Sequence, residues 1–186
     1  MSRSWLVAGL AVVLHIVSCG AAIAQDERGY GPWRLGMSKA AVRGIAEFAP
    51  YNDVPSTGGL EAPSAVFEGR RTNISFVFGE KGLQKIQIWA YEGQSRDSAI
   101  DSWYRVRQYL SRTHGAVEMP GLPIGADASR EDFVAVVNKA LDAQPPSRVA
   151  RMQMAPVTMP QGMSVFSSLF RQPQHGYFVF LYFQEP

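Results

Sequence analysis

The segment 177–183 limits the fold most, because every one of its residues is apolar or aromatic. Successive side chains of a β-strand point to opposite surfaces of the sheet. A strand at 176–184 would therefore carry apolar side chains on both surfaces, which is typical of a central strand that is covered on both sides. A sheet with at least one layer of helices follows from this.

The remaining strands are predicted from alternating apolar residues and from turn sequences. Ile74 and Phe76 share one side of a strand, and Ile86 and Ile88 share one side of the next. Besides 176–184, strands are predicted at 64–68, 72–78, 83–91, 148–154 and 163–170.

Helices are predicted where apolar residues recur at helical spacing behind a capping residue. The predicted helices are at 38–49, at 98–114, and from 127 or 129 to the prolines at 145–146. Segment 25–32 is predicted to be a flexible leader, and 52–63, which is rich in Pro, Gly and Ser, is predicted to be a loop.

These elements predict an α+β fold in which an antiparallel sheet has helices packed on one face. A helix followed by three strands occurs in both halves, so the order is compatible with a tandem helix-then-meander repeat. We expect a single α+β domain at 33–186, with possible sub-units at 33–92 and 96–186.

The amino terminus has the pattern of a cleavable signal peptide, predicted at 1–24. A charged start is followed by an apolar run at 5–17, which covers only about 20 Å as a helix and is too short for a permanent span. The small residues Ala22 and Ala24 precede Gln25, as signal peptidase requires. A periplasmic or secreted protein is expected.

Cleavage before Cys19 is the alternative, and it would give a lipidated protein instead of a soluble one. The sequence ending at Cys19 resembles the lipobox of bacterial lipoproteins, in which the cysteine is lipidated. Membrane attachment is expected only in this alternative, as an outer-membrane lipoprotein. Since Cys19 is the sole cysteine, no disulfide would stabilise the mature chain, which must rely on its apolar core.

Composition argues against nucleic acid as a partner. The chain has 18 basic and 16 acidic residues, a net charge of +2, and no dense basic stripe. Of the histidines, only His114 and His175 follow the signal peptide, and they are expected at a helix end and in a turn. No catalytic or metal-binding motif is recognised, and no cofactor is predicted.

One surface is a candidate for binding. Lys85, Gln87, Trp89 and Tyr91 alternate with the apolar residues of the strand at 83–91. Aromatic rings flanked by long polar side chains suit contact with a partner. The alternative interpretation is that a helix covers them.

The sequence from Leu35 to Val42 resembles a turn-to-helix signature of small bacterial envelope proteins. These are the BamE/SmpA-like lipoproteins and, through a similar order of elements over 33–91, the β-lactamase-inhibitor-protein-like domains. The resemblance implies a non-enzymatic protein that binds another protein of the cell envelope through its sheet. Gly36 and Ser38 would then be structural, as a turn residue and a helix cap.

We therefore expect an exported envelope protein that acts as a protein-binding module. Two alternatives remain open at this point. One is a peptidoglycan-active or other envelope hydrolase, and the other is a small-ligand or lipid carrier in which 177–183 lines a cavity.

The processing prediction can be checked directly. We expect the intact mass of the exported protein to correspond to a chain that begins at Gln25, with or without cyclisation of that residue. A mass that includes a diacylglyceryl group on Cys19 would contradict this and would make the protein a lipoprotein.

Overall fold

A computed structural model describes residues 28–186. The predicted signal peptide, Cys19 and the cleavage site before Gln25 lie outside the described residues. Within 28–186, no helix is both long enough and apolar enough to cross a membrane.

Most of the strands form one eight-stranded antiparallel sheet. Its strands are β3 (Asn52–Val54), β4 (Gly59–Phe67), β5 (Arg70–Gly79), β6 (Gly82–Gly93), β7 (Val117–Glu118), β8 (Ala150–Pro156), β9 (Ser164–Gln172) and β10 (Gly176–Gln184). The order across the sheet is β3-β4-β5-β6-β10-β9-β8-β7. The last strand, β10, is central between β6 and β9, as its doubly apolar sequence predicts.

The start of the described chain differs from the expected flexible leader. Strand β1 (Gly29–Tyr30) pairs with β2 (Trp33–Arg34) in a small hairpin. Trp33 is fully buried, and its ring lies 5.1 Å from that of Phe76. The hairpin forms because this aromatic side chain is part of the core.

Two other expectations, both for residues 38–63, are wrong. The predicted helix at 38–49 is only α1 (Lys39–Arg43), which Gly44 ends, followed by a 3-10 turn at Ala46–Phe48. The predicted loop at 52–63 contains β3 and the start of β4. Leu60 and Ala62 are fully buried there, so burial of their side chains outweighs the turn-rich composition.

The longer helices are close to their predicted bounds. Helix α2 (Arg96–His114) begins after Ser95, whose Oγ accepts from Ser98 N–H at 3.2 Å, so the predicted cap at Ser98 is three residues late. Helix α3 (Arg130–Asp142) begins after Ser129, one of the two predicted starts. The fold is therefore mixed α+β, and the antiparallel sheet predominates.

A hydrogen-bonded core contact joins α2 to the sheet. The fully buried Trp103 donates from Nε1 to Ser167 Oγ at 3.1 Å. Ser167 Oγ in turn donates to the carbonyl oxygen of Phe180 at 2.7 Å. The indole nitrogen of Trp103 and the hydroxyl of Ser167 therefore both have partners, which avoids the cost of burying them unsatisfied.

A buried cation fixes the segment before α3. Arg107 of α2 is only 5% exposed, and its guanidinium donates to the carbonyl oxygens of Gly125, Ala126 and Ala128. Its charge also lies 5.8 Å from the ring of Phe133. These contacts hold the connection to α3 against α2 without a carboxylate.

Arg107→Met should test this role. Methionine fills similar volume but leaves the carbonyl oxygens without their donor, so we expect the free energy of unfolding to fall by about 2 to 4 kcal/mol. Urea unfolding measures this, with Gln108→Met at the next, exposed position of α2 as the control. Equal stabilities of the two variants would contradict the assignment.

Candidate functional site

Three of the four predicted binding residues lie on one surface of the sheet. Gln87 is opposite Tyr182, and Trp89 is opposite Phe180, across the β6–β10 pair. Lys85 is two residues from Gln87 on the same strand and therefore points the same way. This surface is opposite to the one that contacts α2 through Ser167.

Tyr91 does not join them, so its expected position is wrong. A bulge leaves Ala90 as an extra residue in β6, and Tyr91 lies opposite the fully buried Val179. The carbonyl oxygen of Ala90 accepts from Ser102 Oγ of α2 at 2.8 Å. The hydroxyl of Tyr91 accepts from the N–H of Ser95, the cap of α2. The bulge thus turns Tyr91 toward the helix.

Aromatic side chains of β9 and β10 share the surface with Trp89. All of them are half-buried. We call this set the aromatic face: Trp89, Phe166, Phe170, Phe178, Phe180 and Tyr182. The sequence predicts that 178, 180 and 182 lie on a covered surface, and it does not predict that residues of β9 join them. The alternation in 177–183 does indicate that these three aromatic side chains share one surface.

Phe180 is the centre of the aromatic face. Its ring lies 4.9 Å from that of Trp89 in an edge-to-face arrangement and 5.8 Å from that of Phe170. The rings of Phe178 and Tyr182 are 6.1 and 5.9 Å away. These spacings are those of favourable aromatic pairs, so the rings hold one another in place.

Basic side chains lie over the two flanks of the aromatic face. Lys85 Nζ is 5.9 Å from the ring centre of Tyr182, and the guanidinium of Arg151 is 5.0 Å from that of Phe170. Burial raises the pKa of the Tyr182 hydroxyl, and the charge of Arg151 acts in the opposite direction. The surface therefore combines a neutral aromatic centre with positive charge at its sides.

A short polar chain orients Trp89. Its Nε1 donates to Ser75 Oγ at 2.9 Å, and Ser75 Oγ donates to Glu61 Oε1 at 3.5 Å. The indole nitrogen is thereby satisfied, while the ring stays against Phe180 at the surface. Trp89 is presented in a fixed orientation.

The two histidines lie apart from the aromatic face. His114 is the last residue of α2, as predicted, with its ring 6.4 Å from that of Phe183. His175 is exposed in the turn before β10. Within residues 28–186, no group of three or more His, Cys, Asp or Glu side chains could hold a metal ion.

In the described part of the chain, two of the cavities lie beside α2 and α3. One, of about 470 Å³, is between α2 and α3, and its lining includes Asp97, Glu131 and the ion pair of Asp101 with Arg130. The other, of about 450 Å³, is between the end of α3 and the outer edge of β8. Both open to solvent, and neither is lined by residues of 177–183.

Comparison of the chain with protein-family models, with curated proteins and with solved structures finds no match in any of the three.

The two sides of β10 should differ in their contribution to stability. Leu181 is fully buried, and we expect Leu181→Ala to lower the free energy of unfolding by about 3 kcal/mol. Phe180 is half-buried, so Phe180→Ala should cost about 1 to 2 kcal/mol, less than the 3 to 5 typical of an enclosed phenylalanine. Urea unfolding of both variants checks this, and a larger loss for Phe180→Ala would mean that the aromatic face is covered.

Proposed function

We propose that this protein is an exported, non-enzymatic binding module of the bacterial cell envelope and that it recognises a protein partner through the aromatic face. The observation that carries the proposal is the half-buried cluster around Phe180, with Trp89 fixed in orientation and basic side chains on its flanks. Aromatic and arginine side chains supply much of the binding energy in protein interfaces.

The arrangement of the helices supports this proposal. The residues of the sheet that contact α2 alternate with those of the aromatic face, and Trp33 packs against the same side through Phe76. We propose that the helices cover one face of the sheet and leave the other for a partner. A sheet that is apolar on its second surface without a covering layer is typical of a binding surface.

The order of the strands supports a tandem repeat. In the sheet, β4-β5-β6 and β8-β9-β10 are meanders that meet where β6 pairs antiparallel with β10. Each meander follows helical structure in the sequence. We propose that the two halves are copies of one helix-then-meander unit, related by an approximate twofold axis between β6 and β10.

The cellular location is part of the proposal and rests on the predicted signal peptide. The resemblance of Leu35–Val42 to small bacterial envelope proteins supports the same location. We propose a soluble periplasmic or secreted protein that begins at Gln25, and the lipidated form at Cys19 is the alternative that intact mass distinguishes.

Trp89→Ala should separate binding from folding. We expect it to weaken binding to the partner by about 2 kcal/mol or more, roughly thirtyfold, because the largest aromatic side chain of the face, which packs against Phe180, is lost. The partner is first recovered from envelope extract on the immobilised mature protein and identified by mass spectrometry. Binding of the purified partner is then measured by calorimetry.

Tyr104→Ala is the matched control, since Tyr104 is a half-buried aromatic residue of α2 that contacts Phe133. It should lower the melting temperature by a similar amount to Trp89→Ala and leave the affinity unchanged. Equal losses of affinity in the two variants would refute binding through the aromatic face.

A further inference from the structure

The outer edge of β8 is only partly paired. Over residues 150–154, β8 pairs with β9 on its inner side. On its outer side, β7 pairs only with Ala155 and Pro156. The outer edge of residues 150–154 has no neighbouring strand in the described part of the chain.

The direction of the backbone groups along β8 follows from one hydrogen bond. The N–H of Val157 donates to the carbonyl oxygen of Ala116, on the β7 side, at 2.8 Å. The N–H and C=O of successive residues alternate in direction along a strand, and side-chain burial alternates without interruption through β8. The backbone N–H and C=O groups of Arg151 and Gln153 therefore also point away from β9. Within residues 28–186, no hydrogen bond is made to these groups from the outer side of β8.

The ladder stops there because of a proline. In the register of Glu118 with Ala155, Pro120 is the residue that would come opposite Gln153. Proline has no N–H to donate. The chain turns away instead, with the N–H of Leu122 donating to the carbonyl oxygen of Met119.

The turn leaves space beside the unpaired backbone. The cavity of about 450 Å³ lies between the turn and β8, and its lining includes Leu122, Ala140, Ala143 and Met152. Met152 lies between Arg151 and Gln153, so its side chain points to the opposite surface from theirs. A side chain placed beside Met152 on an added strand would enter this cavity, where Leu122, Ala140 and Met152 offer apolar contacts and Gln144 a polar one.

The outer edge of β8 also carries a positive charge and exposed apolar side chains. Arg151 is exposed and is in no ion pair within the described residues. Val149 and Val157, at the two ends of β8, are 59% and 60% exposed. An edge with these properties and with free backbone groups is suited to pairing with another extended segment.

We propose that the outer edge of β8 binds an extended, acidic peptide segment of a partner protein as an added strand. Two of its residues exchange backbone hydrogen bonds with Arg151 and Gln153. The residue between them places an apolar side chain in the cavity, and an acidic side chain lies beside Arg151. Backbone pairing supplies affinity and the cavity supplies selectivity, as in other cases of strand addition. This site adjoins the aromatic face at Arg151, but its backbone pairing and its cavity do not depend on the proposed function.

The probe is the dye-labelled peptide acetyl-Thr-Glu-Leu-Glu-Thr-amide, which is designed to pair antiparallel with β8, each glutamate lying opposite Arg151 or Gln153. By fluorescence anisotropy on the mature protein, we expect a dissociation constant on the order of 10 to 100 µM. Methylation of the backbone nitrogens of both glutamates removes the donors that face β8 and should weaken binding at least about tenfold. Methylation of the leucine nitrogen, which faces away from β8, should change it by less than about threefold.

Variants of the protein test the cavity and the charge. Ala143, the residue that caps the end of α3, lines the cavity; Ala143→Phe fills it and should weaken binding about tenfold, whereas Ala135→Phe, at an exposed position within α3, should not. Arg151→Glu should also weaken it, and the peptide with both glutamates changed to lysine should bind this variant better than the original peptide does. Melting temperatures verify that each variant is folded.

Several results would overturn the proposal. No binding below about 1 mM would do so. Equal losses of peptide affinity from the two kinds of backbone methylation would also overturn it. If Trp89→Ala abolished peptide binding and Ala143→Phe left it unchanged, the peptide would bind at the aromatic face instead. A concentration-dependent dimer in sedimentation velocity that Gln153→Pro removes would instead make this edge a contact between two copies.

Discussion

The antiparallel pairing of β6 with β10 is the contact on which the rest of the structure depends. It joins the two halves of the chain into one sheet and sets the register at its centre. Ile88 meets Leu181 on the side of the core, and Trp89 meets Phe180 on the other side. A shift of one residue would exchange these surfaces, so the register that builds the core also builds the aromatic face.

The bulge at Ala90 shows how α2 modifies this pairing. Beyond it, Tyr91 would continue the aromatic face if β6 were regular. Ser102 instead bonds the carbonyl oxygen of Ala90, and the hydroxyl of Tyr91 accepts from the cap of α2. The contacts of α2 with Ala90 and Tyr91 therefore keep Tyr91 out of the aromatic face. The face ends at Trp89 along β6 because of contacts on the opposite surface of the sheet.

The sequence predicts the elements whose signals are local. The alternation in 177–183 identifies a central strand, and Ser129 is recognised as a cap because its side chain acts on the next turn of the chain. Lys85, Gln87 and Trp89 are grouped correctly, since they belong to the regular part of β6. The functional assignment of these residues is a proposal that binding measurements must decide.

The features that local patterns miss depend on contacts distant in sequence. The loop expected at 52–63 contains strands because Leu60 and Ala62 are buried against the sheet. The position of Tyr91 depends on Ser102, which belongs to another element. The aromatic face requires the alignment of β9 with β10, and the free edge of β8 requires the register of β7. No pattern within a single segment contains this information.

The central pairing also has a consequence for how the chain folds. Ile88 and Leu181 are separated by roughly 90 residues, and every such long-range contact requires a loop to close before the pairing compensates for the entropy lost. Since β10 comes last among the strands, β6 has an open backbone edge and unburied isoleucine side chains until the sheet is complete. The folding rate should therefore be nearer to that of β-sheet proteins than to that of helical bundles of equal length.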